Sequence, residues 1–372
     1  MIDAALLWDM GLMIVAATLG AHLARIFRQP LIVGYVLAGV IIGPSILGLI
    51  TNHDVIRTFS ELGIAFLLFI VGLELDLKKL ASVGRASTII ALVNSTVMFC
   101  AGYAAAHMLG FTALEPVYMG LVLAISSTMV VIKILSDKNE LETLHGRIIL
   151  GILLVQDIIA ITALSILSTI KTPHDLSTIL FADILNGVFV GAGLFSIALV
   201  ISRFILPSLF RVISTSHELL FITALSVFFL FTGLSQAIGF SLAVGAFVAG
   251  IAIATFPYNL EIEWKMKSLR DFFSTIFFVS LGMEIFELNA HAILISIPFI
   301  ILILTLKPLT FIPLTSLLGY GRRVSFLTGA SLTQISEFSL IIAMTGLSLG
   351  HIDNFFFSIT AFIALMTFTF TG

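Results

Sequence analysis

Long apolar runs, each about the length of one membrane crossing, follow one another along nearly the whole chain, with short polar connections between them. A helix needs about 20 apolar residues to cross the hydrocarbon layer of a bilayer. The runs therefore predict about 13 transmembrane helices. The predicted spans are residues 5–25, 31–50, 59–75, 86–108, 116–135, 147–170, 181–206, 218–235, 237–256, 271–286, 291–318, 324–347 and 354–371.

The composition supports the same fold class. Of 372 residues, 59% are hydrophobic and 10% are charged, whereas soluble domains carry about 25% charged residues. A chain of this size cannot bury so much apolar surface in one core, so lipid must cover the remainder. Cys100 is the one cysteine of the chain, which excludes an internal disulfide and a cysteine metal cluster. We predict an all-α polytopic membrane protein and exclude a soluble enzyme.

The positions of the basic residues predict the orientation, because cytoplasmic loops are enriched in Lys and Arg. If the N-terminus lies outside, only Arg57 and Lys171 fall on the outer side, and Lys307 falls within a span. The other fifteen basic residues then lie inside: Arg25, Arg28, Lys78, Lys79, Arg85, Lys133, Lys138, Arg147, Arg203, Arg211, Lys265, Lys267, Arg270, Arg322 and Arg323.

The whole chain, residues 1–372, is predicted to form one membrane transport domain. Spans 1–6 occupy residues 5–170, a linker span covers residues 181–206, and spans 8–13 cover residues 218–371. The sequence ends inside an apolar run, which indicates a membrane domain cut from a longer chain. We expect a C-terminal cytoplasmic regulatory domain to be absent or truncated.

Three charged residues lie near the middle of predicted spans: Asp157, Lys307 and Glu337. Such residues are costly in a bilayer and often serve transport or proton relay, although an internal ion pair that joins helices is the simpler alternative. Asp157 is the clearest candidate, because Gln156 places a neutral carbonyl oxygen beside it. A carboxylate with oxygen ligands suits a hard monovalent cation and can exchange that cation for a proton.

Hydroxyl clusters predict interruptions in two of the spans. Ser126, Ser127 and Thr128 lie in the middle of the fifth span, and Ser331, Thr333, Gln334, Ser336 and Glu337 lie in the twelfth. Hydroxyls compete for backbone hydrogen bonds and stabilise breaks, although they also join intact helices. The two spans have matching places in spans 1–6 and 8–13, and paired broken helices in two inverted halves are typical of secondary transporters. Lys307 is expected either to neutralise the carbonyl ends at the crossing or to pair with Asp157.

Several segments together resemble the monovalent cation:proton antiporter-2 family. They are residues 36–44, 61–75, 126–128, 155–157 and 277–283, and they occur in the family's order through nearly the whole chain. The Gln-Asp pair at positions 156 and 157 is most similar to that of Kef-type potassium/proton systems. No Walker loop, nicotinamide-binding glycine motif or nucleophile–histidine pair suggests an enzyme, and nothing indicates nucleic-acid binding.

The resemblance implies an antiporter fold of the NhaA and NapA type, with a rigid dimerisation domain and a moving core domain in a homodimer. It implies that Asp157 binds the cation and the proton in turn, with Gln156, Ser126, Ser127 and Thr128 around it. Lys307, Gln334, Ser336 and Glu337 are then a supporting buried polar network.

The expected activity is K⁺/H⁺ exchange by alternating access of the elevator type, in which the core domain slides against the dimerisation domain. The cations and H⁺ are substrates, no cofactor is expected in this chain, and the expected location is the plasma membrane of a prokaryote. A cytoplasmic nucleotide-binding domain or subunit is the expected regulator. Na⁺/H⁺ exchange and a ligand-gated cation channel remain as alternatives, since one carboxylate with neutral oxygens serves either ion.

Overall fold

The computed structural model describes residues 4–27, 29–44, 46–74, 84–138, 140, 143–168, 170, 200, 217–237, 242–254, 259–284 and 290–371. Within these ranges the chain is all-helical. The helices are α1 (Ala4–Ile26), α2 (Leu31–Ile42), α3 (His53–Glu74), α4 (Arg85–Met108), α5 (Glu115–Ala124), α6 (Thr128–Asp137), α7 (Leu144–Leu167), α8 (His217–Ala237), α9 (Leu242–Ala254), α10 (Asn259–Met283), α11 (Ala290–Leu317), α12 (Arg322–Ser331), α13 (Glu337–Ser348) and α14 (Asn354–Thr371).

Most of the predicted spans coincide with these helices, and six of the described helices are long and apolar enough to cross a membrane. Two boundaries differ most from the prediction. Helix α2 ends at Ile42 because Gly43 takes an extended conformation and Pro44 follows it, which the α-helix does not accommodate. Helix α10 starts twelve residues before the predicted span, at Asn259, since a charged segment continues the helix beyond the apolar run. The predicted linker span, residues 181–206, lies almost entirely outside the described residues.

Two spans are interrupted where the hydroxyl clusters occur. Helices α5 and α6 are separated by residues 125–127, and Ile125 has an extended backbone, with φ −106° and ψ 144°. Helices α12 and α13 are separated by residues 332–336. Non-helical backbone at membrane depth persists only where protein or a cavity surrounds it. Here both interruptions are buried.

The described helices form two bundles. The scaffold bundle consists of α1–α3 and α8–α10, and the transport bundle consists of α4–α7 and α11–α14. The bundles meet where α2 packs against α14 and where α9 packs against α7. An apolar cavity between them is lined by Leu68, Ile161, Leu164, Val244 and Phe247.

Glycines allow the scaffold helices to pack closely. A Cβ atom added at Gly72 of α3 would lie 3.1 Å from the Cα of Gly250 on α9, and one at Gly39 of α2 would lie 3.0 Å from the Cα of Gly282 on α10. Small residues let helix backbones approach in membranes and increase van der Waals contact. Helices α3 and α9, and helices α2 and α10, thus pack backbone to backbone within the scaffold bundle.

Candidate functional site

The first interruption is held open by a side chain of the neighbouring helix α7. The Gln156 carboxamide accepts a hydrogen bond from the backbone N–H of Ser126 at 3.1 Å and donates one to the carbonyl of Ala124 at 3.1 Å. Ser95 of α4 donates a second bond to that carbonyl at 3.2 Å. Gln156 therefore replaces backbone bonds that the helix loses at the break, as buried polar groups require.

Asp157 lies next to Gln156 in the middle of α7 and is 7% exposed. The Thr128 hydroxyl is 3.1 Å from Oδ1 and 3.2 Å from Oδ2 of this carboxylate. Thr128 is the first residue of α6, so the carboxylate lies at the positive end of that helix's dipole, where negative charge is stabilised. The arrangement places a buried, ionisable oxygen pair beside unwound backbone.

Lys307 of α11 connects the two interruptions. Its ammonium is fully buried and donates to the carbonyls of Ile125 at 2.9 Å and of Gln334 at 2.8 Å, and to Ser126 Oγ at 3.2 Å. The Ser126 hydroxyl donates in turn to the Leu332 carbonyl at 3.1 Å. The C-terminal ends of α5 and α12 carry partial negative charge, and the ammonium neutralises it. This is the first of the two roles expected of Lys307.

A second carboxylate lies at the start of α13. Glu337 is buried, is the first residue of that helix and accepts a hydrogen bond from the Ser127 hydroxyl at 2.8 Å. Ser336 caps the same helix, because its Oγ accepts from the backbone N–H of Phe338 at 3.0 Å. Ser339 completes a capping box with Ser336 and donates to the Val122 carbonyl at 2.7 Å. These bonds join the N-terminal end of α13 to the first broken helix.

The structure thus divides the predicted site residues among three connected groups. The first group consists of Gln156, Ser126, Lys307 and the Gln334 backbone. The second consists of Asp157 and Thr128, and the third consists of Ser127, Glu337 and Ser336. Thr333 donates to the nearby Ala330 carbonyl, and Ser331 is the last residue of α12.

Two contributing residues of α4 were missed from the sequence. Ser95 bonds the Ala124 carbonyl, and Asn94 donates to Thr310 of α11, one turn from Lys307. The signal was present, because Asn94, Ser95 and Thr96 are three consecutive polar residues inside a predicted span.

Besides Glu337, which accepts from Ser127, the site offers the Asp157 carboxylate together with hydroxyl and carbonyl oxygens. The described residues contain no group of three or more His, Cys, Asp or Glu side chains that could hold a metal ion. Oxygen ligands of low total charge suit a hard monovalent cation better than a transition metal. The same carboxylate can hold a proton instead, so the chemistry available here is reversible binding of either a cation or a proton.

Comparison with known proteins gives one family and several relatives. Residues 13–372 match the family model for the transmembrane region of sodium/hydrogen exchangers. K(+) efflux antiporter 4 of Arabidopsis thaliana is 29% identical over 95% of this chain and 60% of its own length. The Na(+)/H(+)-K(+) antiporter GerN of Bacillus cereus is 27% identical over 97% of this chain and 92% of its own length. The chain therefore spans about three fifths of the plant relative.

A solved structure shares the fold. The sodium proton antiporter MjNhaP1 of Methanocaldococcus jannaschii aligns with a TM-score of 0.72 over 100% of this chain and 95% of its own, at 15% identity. Sequence identity this low is evidence of a common architecture only.

Proposed function

Since the chain belongs to the sodium/hydrogen exchanger family, whose members are transporters rather than enzymes, we propose that it exchanges a monovalent cation, preferentially K⁺, for H⁺. The observation that carries the proposal is Asp157, a buried carboxylate that receives the Thr128 hydroxyl beside unwound backbone. One carboxylate binds either one proton or one cation. Competition between them gives electroneutral 1:1 exchange.

Two observations favour K⁺ as the cation, and the name of one relative includes both Na⁺ and K⁺. The Gln156–Asp157 pair resembles that of Kef-type systems, and a plant relative is named a K(+) efflux antiporter. GerN is named for both Na(+) and K(+), so Na⁺/H⁺ exchange is the second candidate. Neutral oxygens serve both ions, and the size and field strength of the coordinating group select between them.

Alternating access is proposed to be of the elevator type. The transport bundle contains both broken helices, and its contact with the scaffold bundle includes an apolar cavity. Apolar surfaces slide without breaking hydrogen bonds, and the hydrogen bonds within the transport bundle keep its site intact during such a movement. The bundle would then carry the cation in one direction and the proton in the other, one at a time.

The proposed assembly is a multi-pass homodimer in the plasma membrane of a prokaryote, with the scaffold bundle at the dimer interface. The proposed orientation keeps the N-terminus outside, as the basic residues predict. Because the chain covers 60% of the K(+) efflux antiporter, we also propose a cytoplasmic nucleotide-binding domain or subunit as its regulator.

The test is cation-driven proton movement in proteoliposomes with a luminal fluorescent pH probe, first in KCl and then in NaCl. Asp157→Asn is expected to abolish exchange while the protein still folds. The matched control is Asp9→Asn, the same substitution on α1 of the scaffold bundle, which should leave exchange intact. Proton flux that persists in Asp157→Asn would remove this carboxylate from the mechanism.

A further inference from the structure

The Gln334 side chain has no hydrogen-bond partner among the described residues, although it lies at the centre of the crossing. The residue is fully buried, and neither Oε1 nor Nε2 meets a donor or an acceptor. Its own backbone carbonyl, in contrast, accepts from Lys307 at 2.8 Å. The ammonium therefore binds the main chain of Gln334 and leaves the carboxamide unused.

Three other neutral oxygens of the crossing are already engaged. Gln156 Oε1 accepts from Ser126, the Ile125 carbonyl accepts from Lys307, and the Leu332 carbonyl accepts from Ser126 Oγ. Each of these oxygens has at most one lone pair left, and the Ile125 carbonyl faces a positive charge that repels a cation. Gln334 Oε1 differs from them, because both of its lone pairs are available and no ammonium is bonded to it.

An unpaired buried amide is costly. Removing a polar group from water without supplying a partner destabilises the folded state, and native proteins satisfy most such groups. In the transport bundle this unpaired amide lies in the interruption between α12 and α13, where an apolar side chain of the same size would not be destabilising. A ligand that binds during the transport cycle would offset the cost.

We propose that Gln334 Oε1 is a ligand of the transported monovalent cation and a determinant of its selectivity. The proposal rests on the proposed function, since it adds a neutral oxygen from the second broken helix to the Asp157 carboxylate and Thr128 hydroxyl at the first. Hard monovalent cations are selected by the number and field strength of coordinating carbonyl dipoles. A carboxamide supplies such a dipole without adding charge, so the 1:1 exchange is preserved.

The test compares Gln334→Met with wild type. Methionine has nearly the same length and volume but no oxygen, so it removes the ligand and also the unpaired amide. We expect the K⁺ concentration at half-maximal exchange to rise roughly three- to tenfold and the preference between K⁺ and Na⁺ to change. The thermal unfolding temperature should stay equal or rise. Gln334→Asn keeps an amide on a shorter stem and should change selectivity more than affinity.

Thr328→Val is the matched control. Thr328 of α12 is also fully buried with an unpartnered hydroxyl, but it lies in a regular helix rather than in the interruption. Its removal should leave the half-maximal K⁺ concentration and the K⁺/Na⁺ ratio unchanged.

Two results would overturn the proposal. One is a Gln334→Met protein with wild-type affinity and selectivity, and the other is a protein that unfolds at a clearly lower temperature, which would reveal a structural partner for the amide. If wild type itself shows no cation-driven proton flux, the proposed function fails instead. If Asp157→Asn is inactive while Gln334→Met behaves as wild type, only the role of Gln334 is refuted.

Discussion

Replacing Lys307 by Gln tests whether this buried ammonium supports the site or belongs to the ion-binding step. Lys307 donates to two backbone carbonyls, of Ile125 and Gln334, and to Ser126 Oγ. The shorter glutamine amide cannot reach all three acceptors. We therefore expect lower stability and a slower exchange rate, with the pH of half-maximal exchange nearly unchanged.

The magnitude follows from the bonds that are lost. A buried carbonyl left without its donor costs about 1–3 kcal/mol. Two carbonyls are affected and glutamine satisfies at most one, so the net loss is about 1–3 kcal/mol. At about 2–4 °C per kcal/mol for a unit of 150–250 residues, the unfolding temperature should fall by roughly 5 °C.

The assay is thermal unfolding in detergent together with exchange rate against pH in proteoliposomes. Lys138→Gln, the same substitution at an exposed lysine after α6, is the control and should change neither quantity. A shift of the pH midpoint by about one unit or more, with an unchanged unfolding temperature, would refute the reasoning. That result would place Lys307 in the ion site itself.

Three further predictions concern other parts of the molecule. Glu337→Gln should lower the free energy of unfolding by about 0.3–2 kcal/mol, because a negative charge at a helix N-terminus contributes that much. The pH of half-maximal exchange should stay the same, and a shift of that pH at constant stability would contradict this. Burial lowers the pKa of His351, whose ring binds the Tyr118 hydroxyl and the Ile170 carbonyl. Stability should therefore fall as the pH drops below about 6.5, and His351→Gln should flatten that part of the unfolding-temperature profile. A dimer should survive in mild detergent by native mass spectrometry, and a fully active monomer would argue against it.

The sequence predicted the elements that depend on local composition. Apolar runs located the helices, and the hydroxyls at 126–128 and 331–336 located the two interruptions, because hydroxyl side chains compete with the helical backbone. Asp157 was recognisable for a different reason, because charged residues are rare inside a membrane span.

The hydrogen bonds between helices could not be derived in this way. Nothing local indicates that Gln156 supplies backbone-like bonds to Ser126 and Ala124, and the sequence left open whether Lys307 faces the carbonyl ends at the crossing or Asp157. Those contacts depend on how four helices cross. The start of α10 at Asn259 was missed because a helix continues into polar surroundings where hydropathy no longer marks it.

The central claim is that the movements of K⁺ and H⁺ are coupled, and transport of K⁺ against its concentration gradient measures this coupling most directly. Proteoliposomes with an acidic lumen are diluted into alkaline medium at equal K⁺ concentrations, and luminal K⁺ is followed with a K⁺-sensitive dye. Proton efflux through an antiporter should raise luminal K⁺ above the external concentration, and neither liposomes with equal pH on both sides nor liposomes holding Asp157→Asn should show the excess. If luminal K⁺ instead follows only its own electrochemical gradient, as through a channel, the antiport mechanism is contradicted.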